Sequence, residues 1–150
     1  MLDQRGAGFL FLNPDKEILV LKRSEICSKP KTWCLPGGRV DRSDYKIGKN
    51  YSESIFFGAE RELYEETKLK LGYLSGATFL GKTDTFSGEF TFSTFIYSVE
   101  KKDVALINSE IKLDKEHTAW KWQCAKKVLS DKETHEGLVR TLKKTKLLEI

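Results

Sequence analysis

Arg61-Glu62-Leu63-Tyr64-Glu65-Glu66-Thr67 is the stretch on which the fold turns, approached through Leu35-Pro36-Gly37-Gly38 and, eight residues before Arg61, through Glu53. With Ile55 to Thr67 read as a helix, Glu62, Glu65 and Glu66 stand at i,i+3 and i,i+4 spacing, so three carboxylates share one face. Like charges so placed destabilise an isolated helix by roughly 0.2–0.5 kcal/mol per pair, and burial raises the cost. A hard divalent cation removes it. Carboxylate and carbonyl oxygens suit Mg2+ or Mn2+, and the stretch offers neither the thiolates nor the imidazoles that zinc prefers. A solvated acidic stripe is the other reading of a Glu-rich helix. The rigid Pro36-Gly37-Gly38 turn, whose glycines let backbone carbonyls approach an ion, favours the metal reading.

Gly37-Gly38, then Glu53, then Arg61-Glu62-Leu63-Tyr64-Glu65-Glu66 resemble the signature box of the Nudix hydrolases, Gly-x5-Glu-x7-Arg-Glu-U-x-Glu-Glu-x-Gly-U with U aliphatic. The interval from Glu53 to Arg61 has the family spacing. Two features depart from the pattern. Gly38 lies fifteen positions before Glu53 where the family has six, so about nine residues are inserted within 39–52. Asp44 occupies the uninterrupted spacing, but Glu53 is in register with Arg61 and is taken as the box glutamate, paired with Arg61 as structural support of the site. Lys68 replaces the last glycine, so the helix either runs on toward Gly72 or accepts strain at Lys68.

The resemblance implies an α/β/α sandwich around a mixed sheet, in a single domain over 1–150. It implies Mg2+-dependent hydrolysis of a pyrophosphate bond, with Mn2+ as the alternative ion. The substrate is a nucleoside diphosphate linked to another moiety: ADP-ribose, a nucleotide sugar or a nucleoside triphosphate. Glu62, Glu65, Glu66 and the backbone of Gly37 or Gly38 hold metal, and Glu62 or Glu65 helps to activate water. Glu116-His117 followed by Trp120 and Trp122 resembles a Glu-His-x-x-x-Trp segment of relatives, though two residues rather than three separate His117 from Trp120, and it slightly favours nucleotide sugars or ADP-ribose. Glu116 is the first candidate for a further ligand or general base and His117 the second, since imidazole titrates near neutrality. Glu89 is a weaker alternative. A noncatalytic nucleotide- or RNA-sensing domain and an RNA 5′-end pyrophosphohydrolase are the competing functions.

Composition agrees with a small enzyme. The chain has 150 residues, 39% hydrophobic and 32% charged, enough for one core. No apolar run approaches the roughly 18 residues of a membrane span, and the N-terminus has no basic-then-apolar leader, so a cytoplasmic location is expected. Three cysteines without Cys-x-x-Cys spacing indicate reduced thiols rather than disulfides or zinc, and Cys34 reads as a small buried residue. The net charge of +4 is mild, and much of it falls among Arg140, Lys143, Lys144 and Lys146, the polar face of a last helix over about His135 to Leu147. Nucleic acid is therefore a minor expectation, and a homodimer stays open.

Gly8 to Leu12 and Ile18 to Lys22 read as a hairpin about Asn13-Pro14-Asp15, and Trp33 to Leu35 as a short strand. Asp41 to Asn50, with its lone Gly48, reads as a surface loop. Strand-like runs follow in Tyr73 to Thr85 and Phe90 to Val99 about a Ser87-Gly88 turn, then a connection over 101–115 and a strand over Thr118 to Gln123. Phe9, Phe11, Phe86, Phe92, Trp120 and Trp122 are each able to stack on a base, and Arg5, Lys22 and Arg23 to meet phosphate or ribose. Alternation alone does not choose among them.

Overall fold

Asn13 writes the first turn: its side-chain oxygen accepts from the backbone of Asp15 and Glu17, at 3.0 and 2.8 Å, and folds β1 (Arg5–Leu12) against β2 (Glu17–Arg23). The computed structural model describes residues 4–47 and 50–145. β3 (Trp33–Cys34), β4 (Gly37–Arg39), β5 (Thr78–Ser87), β6 (Phe90–Ser98) and β7 (His117–Cys124) complete a mixed seven-stranded sheet. The helices are α1 (Arg42–Ile47), α2 (Tyr51–Thr67), α3 (Lys101–Glu110), α4 (Ala125–Ser130) and α5 (Glu136–Thr145).

The period of two along β1 sorts its side chains into two cores. Ala7, Phe9 and Phe11 pack with Leu19, Phe95 and the α2 residues Ile55, Ala59 and Leu63, with Ile107 of α3 closing that side. Leu10 and Leu12 face the other way, onto Ile18, Val20, Ile96 and the helical residues Val128, Leu138 and Leu142. The sheet is thus covered on both faces, the α/β/α arrangement the sequence suggests. Leu63 is fully buried, and its truncation to Ala would cost about 2–5 kcal/mol.

A fork in the sheet positions the site. β1 and β2 are registered at Leu12 and Ile18, and then β2 pairs with β3 and β7 while β1 pairs with β4 and, in parallel, β6. The segment from Trp33 to Arg39 fills the gap, with the Phe9 amide donating to the Pro36 carbonyl at 3.0 Å. Gly8 has to be glycine there, because a Cβ would stand 2.4 Å from that carbonyl oxygen.

Three expectations need correction. The stretch Asp41 to Asn50 is not a loop throughout: Arg42–Ile47 is helix α1, while Gly48 lies outside the described residues. The 101–115 connection contains helix α3, secured where Asp103 accepts from the Glu100 and Gly76 amides and where Ile107 is buried. The β5 strand starts at Thr78, after a 3-10 turn over Leu71–Tyr73. Helix α2 also begins earlier than expected, capped by the Asn50 side chain accepting from the Glu53 amide at 2.9 Å. It ends in strain at Lys68, whose φ of 65° is left-handed and whose amide bonds to the Tyr64 carbonyl. The last helix is described to Thr145, and Leu147 lies outside the described residues.

Candidate functional site

Arg61 is the hub of the acidic face. Its Nε lies 3.1 Å from Asp44 Oδ1, its Nη1 lies 3.1 Å from Glu62 Oε1 and from both Glu65 oxygens, and its Nη2 donates to the Arg39 carbonyl at 2.9 Å. Arg61 thus pairs with Asp44, the residue at the uninterrupted spacing, where the sequence reading pairs it with Glu53. Glu53 is exposed in the first turn of α2, eight residues before Arg61 and about 12 Å away along the axis at 1.5 Å per residue. The cause is where the extra residues fall. They follow Asp44, completing α1 and adding the first turn of α2, so the Gly38-to-Asp44 interval keeps the family length.

Glu62 and Glu66 point from α2 onto the two glycines of β4. The Gly37 amide donates to Glu66 Oε1 at 2.7 Å, and a Cβ on Gly38 would come within 2.5 Å of the Glu62 carboxyl carbon. Both carboxyls resist ionisation. Burial pushes Glu62 up to about 7 against the pull of Arg61, with Glu65 and Glu116 adding repulsion. Burial also raises Glu66 well above the usual carboxylate range, opposed by the Gly37 amide and reinforced by Glu62, Asp114 and Glu116. Glu65 is half exposed beyond them. Among the described residues no three His, Cys, Asp or Glu side chains already converge as a metal cage. The donors nevertheless fit a hard cation: crowded, partly desolvated carboxylates beside glycine backbone.

His117 lies beneath this face rather than on it. Its side chain is 2% exposed, with Nδ1 2.8 Å from Asp114 Oδ1, Nε2 3.8 Å from Glu66 Oε2 and Nε2 4.0 Å from Cys34 Sγ. Burial pushes the Cys34 thiol up to about 12, with Glu66 adding, so Cys34 is the small buried residue expected of it. Glu116 is exposed in the turn entering β7, close enough to act electrostatically on Glu62 and Glu66. Glu89 sits exposed in the hairpin turn between β5 and β6.

Across the Gly37–Gly38 backbone a cleft of about 480 Å³ opens between α5, the β5–β6 hairpin and the β3–β4 segment. Of the six aromatic candidates only Phe86 and Phe92 line it, joined by Phe90. Phe9 and Phe11 are fully buried, and Trp120 and Trp122 pack against the opposite core. Of the basic candidates Arg23 lines it, whereas Arg5 bonds Ser93 and Lys22 lies near Glu133. Arg39, His135 and Arg140 also line the cleft and carry no signal in the sequence, where Arg140 reads as one more cation on a solvated helix face. No helix of the described residues is long and apolar enough to cross a membrane.

A family model described as the NUDIX domain matches residues 2–143. No curated protein matches the sequence. Among solved structures, an Ap4A hydrolase from C. elegans in a binary complex is 20% identical, with a TM-score of 0.62 over 97% of this chain and 98% of that one. A MutT protein from Methanosarcina mazei Go1 is 22% identical, with a TM-score of 0.60 over 95% and 94% of the two chains. A bifunctional NMN adenylyltransferase/ADP ribose pyrophosphatase from Francisella tularensis is 17% identical, with a TM-score of 0.62 over 99% of this chain and 41% of that one. At such identities these likenesses speak to fold. The match along nearly the whole chain, with an acidic helix face packed on a Gly-Gly strand, makes this chain a member of the Nudix family and an enzyme of its pyrophosphohydrolase class.

Proposed function

We propose that the protein hydrolyses the pyrophosphate bond of a nucleoside diphosphate linked to another moiety, with Mg2+ as cofactor and Mn2+ able to replace it, and releases a nucleoside monophosphate or its equivalent. The observation that carries this reading is the pair of glutamates on Gly37 and Gly38, both pushed toward protonation by burial and by the neighbouring carboxylates. Glu62, Glu65 and Glu66, with the Gly37 and Gly38 backbone and Glu116, are the groups that would hold the metal. When bound, it would neutralise the charge gathering on the attacked phosphate and the leaving oxygen.

The chain's own residues divide the remaining work. Arg61 orients Glu62 and Glu65 through the bonds described above and is itself fixed by Asp44. Glu116, exposed beside the carboxylates, is the better general base for taking a proton from water. His117 is buried and engaged by Asp114, so it supports Glu66 from beneath instead of meeting substrate. The three free cysteines suit a reducing, cytoplasmic setting.

The test is turnover. Pure protein incubated with Mg2+ and a panel of ADP-ribose, nucleotide sugars, dinucleoside polyphosphates and nucleoside triphosphates should release a nucleoside monophosphate or the equivalent product from at least one. Absence of turnover on every member, with Mg2+ and with Mn2+, overturns the reading.

A further inference from the structure

Three arginines, Arg23, Arg39 and Arg140, line the cleft, and among the described residues none of them forms an ion pair with a carboxylate. Arg61, by contrast, is surrounded by acids. Arg23 gives two of its nitrogens to Ser28, and Arg39 lies over the Phe90 ring at 5.8 Å. Arg140 is the most demanding of the three: its Nε is buried and has no hydrogen-bond partner among the described residues. A buried donor left unmade costs about 1–3 kcal/mol, and more on a charged group.

Among the described residues the one acid lining the cleft, Glu136, is engaged by Lys29. His135 adds another donor. Its Nδ1 accepts from the Gly137 amide at 2.9 Å, which leaves the proton of the neutral ring on Nε2. Burial lowers the His135 pKa, and Arg23, Lys29 and Arg140 lower it further against the opposing pull of Glu136, so cations outweigh the one carboxylate at this end of the cleft. Guanidinium groups gathered in a walled cleft concentrate an anion and match phosphate oxygens in geometry.

We propose that the end of the cleft bounded by Arg23, Arg140 and His135 is a phosphate subsite separate from the carboxylate face, so that the preferred substrate carries at least one phosphate beyond the two flanking the cleaved bond. This rests on the pyrophosphohydrolase reading above and narrows it to nucleoside triphosphates and dinucleoside polyphosphates. ADP-ribose and nucleotide sugars place a neutral sugar where the third phosphate would lie. They leave Arg140 unpaired, and a site built for a polar partner rejects the analogue that lacks it. The neighbouring Phe86, Phe90 and Phe92 give the same cleft an apolar wall for a base or ribose.

The test separates binding from turnover. Calorimetric titration of the metal-free chain with inorganic tripolyphosphate and pyrophosphate should show Arg140→Gln weakening tripolyphosphate about tenfold or more, about 1.4 kcal/mol, and pyrophosphate by a clearly smaller factor. Arg23→Gln should repeat the pattern and serves as the second reading if Arg140→Gln fails to fold. Equal weakening of both anions, or of neither, in a folded variant overturns the subsite.

With Mg2+, wild-type kcat/KM for ATP or Ap4A should exceed that for ADP-ribose at least about tenfold, and the ranking of ATP against Ap4A identifies the source of the third phosphate. ADP-ribose turned over as well as either overturns the proposal. Turnover of nothing, with the calorimetric difference intact, overturns the hydrolase reading and supports the subsite.

Discussion

Asp44 and Arg61, seventeen residues apart in sequence, are joined by a guanidinium fork, with Nε 3.1 Å from Oδ1 and a terminal nitrogen 3.1 Å from Oδ2. Asp44 is buried, at 1% exposure, and also accepts from the Asp41 amide at 2.8 Å. A buried carboxylate so held is costly to remove, because the guanidinium keeps its charge and loses its most buried partner. Asp44→Ala is expected to destabilise the protein by about 3–5 kcal/mol in urea unfolding. Glu53→Gln, at an exposed first-turn position, should cost no more than about 1 kcal/mol, the range of a solvent-screened surface charge. The opposite ranking would return the box role to Glu53.

Gly38 and Gly37 should separate function from stability. A methyl on Gly38 meets only the end of the Glu62 side chain, which can rotate away, whereas one on Gly37 meets the Ala7 carbonyl oxygen and the Gly8 Cα, both at 2.6 Å. Gly38→Ala is therefore expected to cost under about 1.5 kcal/mol in stability while weakening Mg2+ binding, read by titration, as Glu62 is displaced. Gly37→Ala should unfold the chain at markedly lower urea. Equal stability losses in the two variants would refute the assignment.

The sequence made the central helix, the hairpin and the carboxylate face legible because each rests on local spacing. Glu62, Glu65 and Glu66 share a face by helical geometry, and Asn13-Pro14-Asp15 forces a turn. The pairing of Arg61 was legible only in part. Asp44 and Glu53 each satisfied one half of the family spacing, and which half was interrupted depends on α1 folding back onto α2, a tertiary event. Helix α3 was masked because its one fully buried side chain, Ile107, leaves little apolar periodicity to see. The cleft was hidden for a related reason: Arg23, Arg39 and Arg140 come from β2, β4 and α5 and meet only after the sheet forks.

Metal-free protein should lose stability as pH rises between the ordinary carboxylate pKa and about 7. Glu62 titrates at about 7 in the folded chain against 4.5 for the free side chain, and Glu66 is shifted in the same direction. The folded state therefore binds more protons than the unfolded one within that window, and the slope of unfolding free energy with pH is negative there. The contribution is fully present below 4.5 and is lost as pH passes through about 7. Glu62→Gln should reduce this slope in thermal melts taken from pH 4.5 to 8, leaving the share that Glu66 contributes, and saturating Mg2+ should stabilise wild type more at pH 8 than at pH 5. A slope unaltered by Glu62→Gln would sink the assignment.

Glu116 and His117 are adjacent in sequence, yet their variants should fail in different ways. Glu116 is exposed, so Glu116→Gln should fold with stability close to that of the wild type. Its kcat should drop about 10²–10⁴-fold, as expected for loss of a general base, and the acid limb of the pH–rate profile should flatten. His117→Ala removes a buried ring held by Asp114 and facing Glu66. It should lower the melting temperature by several degrees, on the order of 2 kcal/mol, with a smaller fall in kcat and an acid limb that keeps its shape. Glu65→Gln and Glu66→Gln give the reference for losing the metal-holding face itself, each reducing activity by orders of magnitude. If His117→Ala instead matched those variants in kcat while Glu116→Gln stayed active, the proton would have to leave through His117, and its burial would have to open during turnover.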